Sequence, residues 1–208
     1  MRRAAFFHRE TPVNYLFHLY LSDPEPPCLL GNLMGDFVKG RLDDRFPPAI
    51  RHGLQQHRQL DSFAHNHPAF RRSKARLHYD YGHCRGILVD IFYDHFLAQH
   101  WSDFSPIPLD DFAAHIYQLL RTHHDQLAEG LQRLAPRMIE RNWLVSYQDP
   151  AVIGRVLERV SQRLKRPLPM AQAMRDLEEH RDALEGDFRG FLEDARACLA
   201  LAEAWHRR

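Results

Sequence analysis

The sequence is short of thiols, of net charge and of long apolar runs. Its three cysteines, Cys28, Cys84 and Cys198, are odd in number and form no CxxC pair. That argues against a disulfide framework or a thiolate zinc site, and for a reducing, cytoplasmic setting. The formal charge is only +1 over 208 residues. The chain as a whole therefore does not advertise nucleic-acid binding, and none is expected. No run approaches the roughly 20 apolar residues that span a bilayer. Residues 1–12 are basic, but their apolar part is too short for a signal peptide, so no membrane association is expected. There is no GxxxxGK[ST], no GxGxxG, no GxSxG, no internal repeat and no low-complexity tract. What is abundant is histidine, 15 in all, the residue most often used for metal binding and proton chemistry near neutral pH. The length suits one domain.

Almost the whole chain reads as helix. Residues 86–101 have the length and apolar content of a buried one. Asp90 and Asp94 lie four apart on a face shared with Ile87, Ile91 and His95. Two like charges in an apolar stripe are costly. They share a proton, pair with an arginine or bind a cation, and this helix alone leaves these readings open. Residues 14–21 form a short apolar run that fits strand or helix; a helix puts Asn14 and His18 on one face. Residues 22–27 read as a loop. Residues 31–39 read as a second short helix, with Asp36 among Met34, Phe37 and Val38. The alternative for Asp36 is an acid in a first turn, favoured by the helix dipole.

Pro47-Pro48 opens the next helix, whose stripe is Ile50, Leu54, His57 and Asp61. The steps of four, three and four trace one face that is apolar first and polar last. Such a helix buries one end and delivers a His–Asp pair at the other. The plainer reading is a surface pair worth a few tenths of a kcal/mol. A helix from Pro68 carries Arg71, Arg72, Lys74 and Arg76, either a solvated face or a docking patch for an acidic partner. Further helices are expected from Asp110-Asp111, from Pro136 to about Trp143-Leu144, and over residues 151–164, the last capped by Asp149 and carrying Arg155, Arg159 and Arg163. One long scaffold helix is expected over residues 170–205.

Three segments thus present acids or a His–Asp pair from apolar faces: Asp36; His57 with Asp61; and Asp90 and Asp94 with His95. Carboxylates and imidazoles without thiolates suit Mn²⁺, Mg²⁺ or Fe²⁺ better than zinc. In a helical frame this set fits metal-assisted hydrolysis, in which the cation polarises a phosphoryl oxygen and lowers the pKa of a water. Arg58, next to His57, is placed to hold phosphate charge.

Four blocks resemble the acyl carrier protein phosphodiesterase family. They are Asn14-Tyr15-Leu16-x-His18-Leu19, Gly31-Asn32-Leu33-x-x-Asp36-Phe37-Val38-x-Gly40, His57-Arg58-x-Leu60-Asp61-x-Phe63, and Asp90-x-x-x-Asp94-His95-Phe96-Leu97. Phe46-Pro47-Pro48 and Trp143-Leu144 agree as well, and the similarity runs from Val13 to Phe191. The resemblance implies an all-α, single-domain helical bundle related to the HD-domain phosphohydrolases and dependent on manganese. It implies an enzyme of lipid metabolism that removes the 4′-phosphopantetheine arm from holo-acyl carrier protein to give the apo-protein. Asp36, His57, Asp61, Asp90 and Asp94 are then the expected ligands of one or two Mn²⁺, with Mg²⁺ or Fe²⁺ as alternatives. His18 or His95 is expected to donate a proton to the leaving serine oxygen, so the catalytic set is His18, Asp36, Asp61, Asp94 and His95. Arg58, Arg71, Arg72, Lys74 and Arg76 are the expected substrate contacts, and the acidic carrier protein is the expected partner.

Two departures stand out. His57 and Asp61 are a turn apart, where HD proteins carry an adjacent His-Asp dipeptide, and His65 stands where the family favours an acid. Family members tend to begin at the Asn-Tyr-Leu block. Residues 1–12 are therefore expected to be an extension outside a domain at 13–208, with a start codon near Val13 as one explanation. The competing functions are an HD-like phosphohydrolase acting on nucleotides and a non-enzymatic helical module that binds an acidic partner.

Overall fold

The computed structural model of the chain describes residues 14–164 and 166–206, with side chains through residue 200. The extension expected at residues 1–12 lies outside the described residues. Among the described residues every ordered element is helical, as the sequence pattern requires. The α-helices are α1 (Tyr15–Leu21), α2 (Pro26–Leu33), α3 (Pro48–Asn66), α4 (Pro68–Arg76), α5 (Arg85–Gln99), α6 (Trp101–Phe104), α7 (Leu109–Thr122), α8 (Glu129–Glu140), α9 (Trp143–Ser146), α10 (Pro150–Arg163), α11 (Ala173–Glu179) and α12 (Arg181–His206). No helix among the described residues is long and apolar enough to cross a membrane.

Proline sets several of the starts. Pro26, Pro48, Pro68 and Pro150 each stand in a first turn, where the missing N–H has no partner to lose. The helix expected over residues 31–39 instead begins at Pro26 and ends at Leu33. Pro26-Pro27 nucleates it early, and Asp36 falls in the turn that follows. Pro136 was expected to open a helix and lies inside α8. Its ring nitrogen has no proton for the carbonyl of Gln132, which accepts from Nε2 of His124 at 3.3 Å instead. The long final helix is interrupted: the chain leaves helical geometry at His180 (φ −112°, ψ 17°) and resumes in α12. At α10, Asp149 caps as expected, accepting from the N–H of Ala151 at 2.8 Å.

Helix α5 runs through the middle. Residues 91–98 are buried without interruption, so it is enclosed on all sides rather than striped. Tyr93 on α5 meets Phe17 of α1, Phe70 of α4, and Phe188 and Phe191 of α12, with ring centroids 5.5–6.5 Å apart. Phe17 also stacks on Phe191 at 5.4 Å. This cluster anchors α1 to the core. Helix α2 meets α3 more closely still. A Cβ added at Gly31 would lie 2.1 Å from the carbonyl oxygen of Ile50, and one at Gly53 would lie 2.0 Å from that of Cys28. Only glycine permits the two backbones to touch.

Helix α4 is tied to α12 through Asp187. Its buried carboxylate accepts from Nε of Arg72 at 2.7 Å, from Nε of Arg76 at 3.3 Å and from the hydroxyl of Ser73 at 3.3 Å. Two members of the expected docking patch are therefore engaged inside the protein. Asp187→Ala leaves both guanidiniums unpaired. Buried pairs cost more than this to break, but Arg72 is half in water, so about 2 kcal/mol is expected. A lower urea midpoint checks it; an unchanged midpoint would contradict the tie.

Candidate metal centre

Two imidazoles form the floor of the site. His18, from α1, and His57, from α3, are both buried and stack with ring centroids 4.0 Å apart and planes 21° apart. Asp61, one turn beyond His57, forms the rim, with its side chain 56% exposed. One of its oxygens lies 3.3 Å from Nε2 of His18 and the other 3.5 Å from Nε2 of His57. Asp36, in the turn after α2, has a carboxylate oxygen 3.9 Å from Nε2 of His57. A donor atom from each of His18, His57 and Asp61 lies within 4.8 Å of the other two. The periodicity of α3 produces this: Ile50 and Leu54 bury its first turns, and the same face then delivers His57 and Asp61.

The protonation of His57 decides what this arrangement accepts. Nδ1 lies 3.3 Å from Oδ1 of Asn32. Oδ1 is an acceptor, so Nδ1 carries the proton. Burial first, and then the neighbouring His18, push the pKa of His57 down to about 3, so the ring is neutral. Nε2 therefore presents a lone pair to the carboxylates of Asp61 and Asp36. Lone pairs facing carboxylate oxygens are unfavourable unless a cation lies between them, and an imidazole fixed through its other nitrogen is how histidine ligands are usually held. The donor set thus fits a divalent cation with nitrogen and oxygen preference. Burial pulls His18 towards neutrality, but Asp61, then Asp36 and Asp90, outweigh it and hold its pKa above the usual value. Nδ1 of His18 is buried with no hydrogen-bond partner. Asp61 is held below the usual carboxylate range: burial opposes its charge most, but the bond to His18 and the charges of His18, His57 and Lys39 together outweigh it.

The other expected residues divide. Asp90 is half-buried and feels the charges of Asp61, His18, Asp94 and Asp36. Burial first, then Asp61, pushes its pKa up to about 8. Asp94 is buried under the start of α1. Its two oxygens accept from the N–H groups of Leu16 at 3.1 Å and Phe17 at 2.8 Å. Burial pushes Asp94 up to about 7, and those two amides pull against it. Asn14, the residue before α1, makes no side-chain cap, so Asp94 supplies one from 77 and 78 residues away. His95 points elsewhere: its Nδ1 donates to the carbonyl of Tyr147 at 2.7 Å, and the ring is fully buried. Arg58 donates to the carbonyls of Gly40 and Val38, both at 2.8 Å, and so pins the loop that follows Asp36. Arg71 is exposed on α4, and the ammonium of Lys74 stands 6.0 Å from the ring centroid of Phe70.

Two residues with parts in this site were not singled out from the sequence. Asn32 fixes the tautomer of His57; a polar side chain within an otherwise apolar buried helix was its available signal. Lys39 is exposed, and its charge depresses the pKa values of both His57 and Asp61. It therefore places a cation close to the rim.

No solved structure matches the chain. Two similar relatives, from Escherichia coli O6:H1 (strain CFT073) and E. coli strain K12/DH10B, are named acyl carrier protein phosphodiesterase. The first is 32% identical over 177 residues and the second 33% identical over 184; each alignment covers 85% of this chain and 92% of the relative. The family model described as acyl carrier protein phosphodiesterase matches residues 13–195. The chain belongs to the acyl carrier protein phosphodiesterase family.

Proposed function

We propose that the protein is a metal-dependent phosphodiester hydrolase that frees 4′-phosphopantetheine from the serine of holo-acyl carrier protein. The observation that carries the metal part is the lone pair of His57 Nε2 facing the carboxylates of Asp61 and Asp36. His18, His57 and Asp61 would hold the cation, with Asp36 and Asp90 as the adjoining carboxylates. A bound divalent ion, Mn²⁺ by preference, supplies positive charge to the nonbridging phosphoryl oxygens and acidifies water. Asn32 holds His57 in the donor tautomer. Asp94 is a positioning residue: by capping α1 it sets the direction in which that helix presents His18.

The openness of the rim favours a macromolecular substrate over a nucleotide. A phosphodiester displayed on another protein's surface needs ligands it can reach, and Asp61 is exposed. Its acidic carrier also needs cations close by. Lys39 supplies one at the rim, since Arg72 and Arg76 are engaged with Asp187. Lys39→Glu is expected to raise KM about tenfold, leave kcat within about twofold and flatten the salt dependence. Unchanged KM and salt dependence would remove the cationic rim from the reading.

Incubation of the protein with holo-acyl carrier protein and Mn²⁺, followed by intact mass spectrometry, tests the activity. The carrier is expected to lose the mass of the arm, and only when metal is present. No loss of mass, alongside turnover of a nucleotide phosphodiester, would favour the nucleotide reading instead.

A further inference from the structure

A second cluster lies on the far side of the α2–α3 contact. Asp23 comes from the loop after α1, Cys28 from α2 and His52 from α3. A carboxylate oxygen, Sγ and an imidazole nitrogen from these three lie within 4.8 Å of one another. We propose that this cluster is a separate binding site for a borderline ion of the zinc class.

The site is pre-shaped by packing. The Gly53 backbone sits directly against the carbonyl of Cys28, which sets the spacing between Cys28 and α3. Its thiol is buried and donates to the carbonyl of Ala49 at 3.4 Å. Asp23 is also fixed. One of its oxygens accepts from the N–H of Glu25 at 3.0 Å, and its own N–H donates to Oε1 of Gln56 at 3.2 Å. The second carboxylate oxygen of Asp23 stays available. His52 is half-buried, and its imidazole has no hydrogen-bond or ion-pair partner among the described residues. The donor types set the metal. One sulfur, one nitrogen and one oxygen suit zinc, and the sulfur sets this site apart from His18, His57 and Asp61, which offer none. On binding, Cys28 gives up its thiol proton to the solvent and ligates as the thiolate. The ion then bolts the 22–25 loop and the start of α2 onto α3. Helix α2 ends at Leu33 and carries Asn32, the partner of His57, so occupancy would brace the candidate metal centre from behind.

Cobalt(II) separates this site from the first, because a thiolate–cobalt charge-transfer band in the near ultraviolet needs sulfur, and His18, His57 and Asp61 offer none. The full chain is titrated with Co²⁺ in a Cys84→Ala/Cys198→Ser background, which leaves Cys28 as its sole thiol. The band is expected to appear and to bleach on addition of Zn²⁺. It should be absent when Cys28→Ser is added. With His52→Ala, which leaves the thiol in place, the cobalt dissociation constant should rise by more than about a hundredfold, beyond what loss of an outer-shell partner costs. No band in the single-thiol chain with excess cobalt, or undiminished affinity in His52→Ala, would overturn the proposal. Neither outcome bears on hydrolysis, so failure here is distinct from failure of the Mn²⁺ reading.

Discussion

Asp61→Ala is expected to yield a folded protein whose turnover has fallen at least about a hundredfold, beyond what the loss of an outer-shell partner costs. Folding survives because Asp61 lies on the exposed rim of α3, with its side chain more than half in solvent. Surface changes of that kind usually alter stability by less than about 0.5 kcal/mol. Turnover does not survive, because both oxygens of Asp61 face the donor nitrogens, at 3.3 Å for His18 and 3.5 Å for His57. Removing the carboxylate takes away a rim charge that meets both rings. Asp61→Asn sharpens the test, since it keeps shape and hydrogen bonding and removes charge. Manganese affinity should fall in both variants, and a urea titration should leave the midpoint near that of the parent. Near-parental turnover in either variant would remove Asp61 from the site.

The second large effect is on folding. Gly53→Ala puts a methyl carbon 2.0 Å from the carbonyl oxygen of Cys28 and 2.8 Å from the backbone nitrogen of Asn32. Both are backbone atoms of α2, so no side chain can turn aside, and the helices must separate. A loss of about 3 kcal/mol is expected, the upper part of the usual range for an overfilled core. Activity should fall with it, because displacing α2 carries Asn32 away from His57 and moves Asp36. Gly190→Ala is the control. It lies inside α12, where an added Cβ meets nothing within 4 Å. A methyl there should be neutral or stabilise by up to about 1 kcal/mol, as helix propensity favours alanine. Similar midpoints for the two variants would show that the α2–α3 contact is looser than described.

Much of the helical frame is legible without coordinates, because its signals are local. The prolines at the starts of α3, α4 and α10 announce those helices, and the spacing of Ile50, Leu54, His57 and Asp61 foretells which end of α3 is buried. Helix α8 shows the limit of local reading. Proline in an interior is disfavoured, and the sequence holds no sign that His124 will satisfy the stranded carbonyl of Gln132.

The site divides along the same line. His57 and Asp61 are neighbours on a helix, so their pairing is legible. Asp94 is legible only as a buried acid in need of partners. Those partners are backbone amides in α1, which carry no sequence signal at all. The stacking of His18 on His57 joins residues 39 apart, and the burial of Asp187 beneath Arg72 and Arg76 spans more than 100. Charge runs such as Arg71 to Arg76 look alike whether they meet water, a partner protein or a carboxylate on another helix. Only the packing of α12 against α4 decides between them. Lys39 carries no sequence signal, because a single lysine in a loop has no periodicity to distinguish it.

The central claim is that His18, His57 and Asp61 hold a divalent cation. Crystals grown with Mn²⁺ and measured for its anomalous scattering address it most directly. A peak is expected at ligand distance from Nε2 of His18, Nε2 of His57 and a carboxylate oxygen of Asp61. A manganese peak elsewhere in the molecule, with those three side chains bonded only to one another, would contradict it.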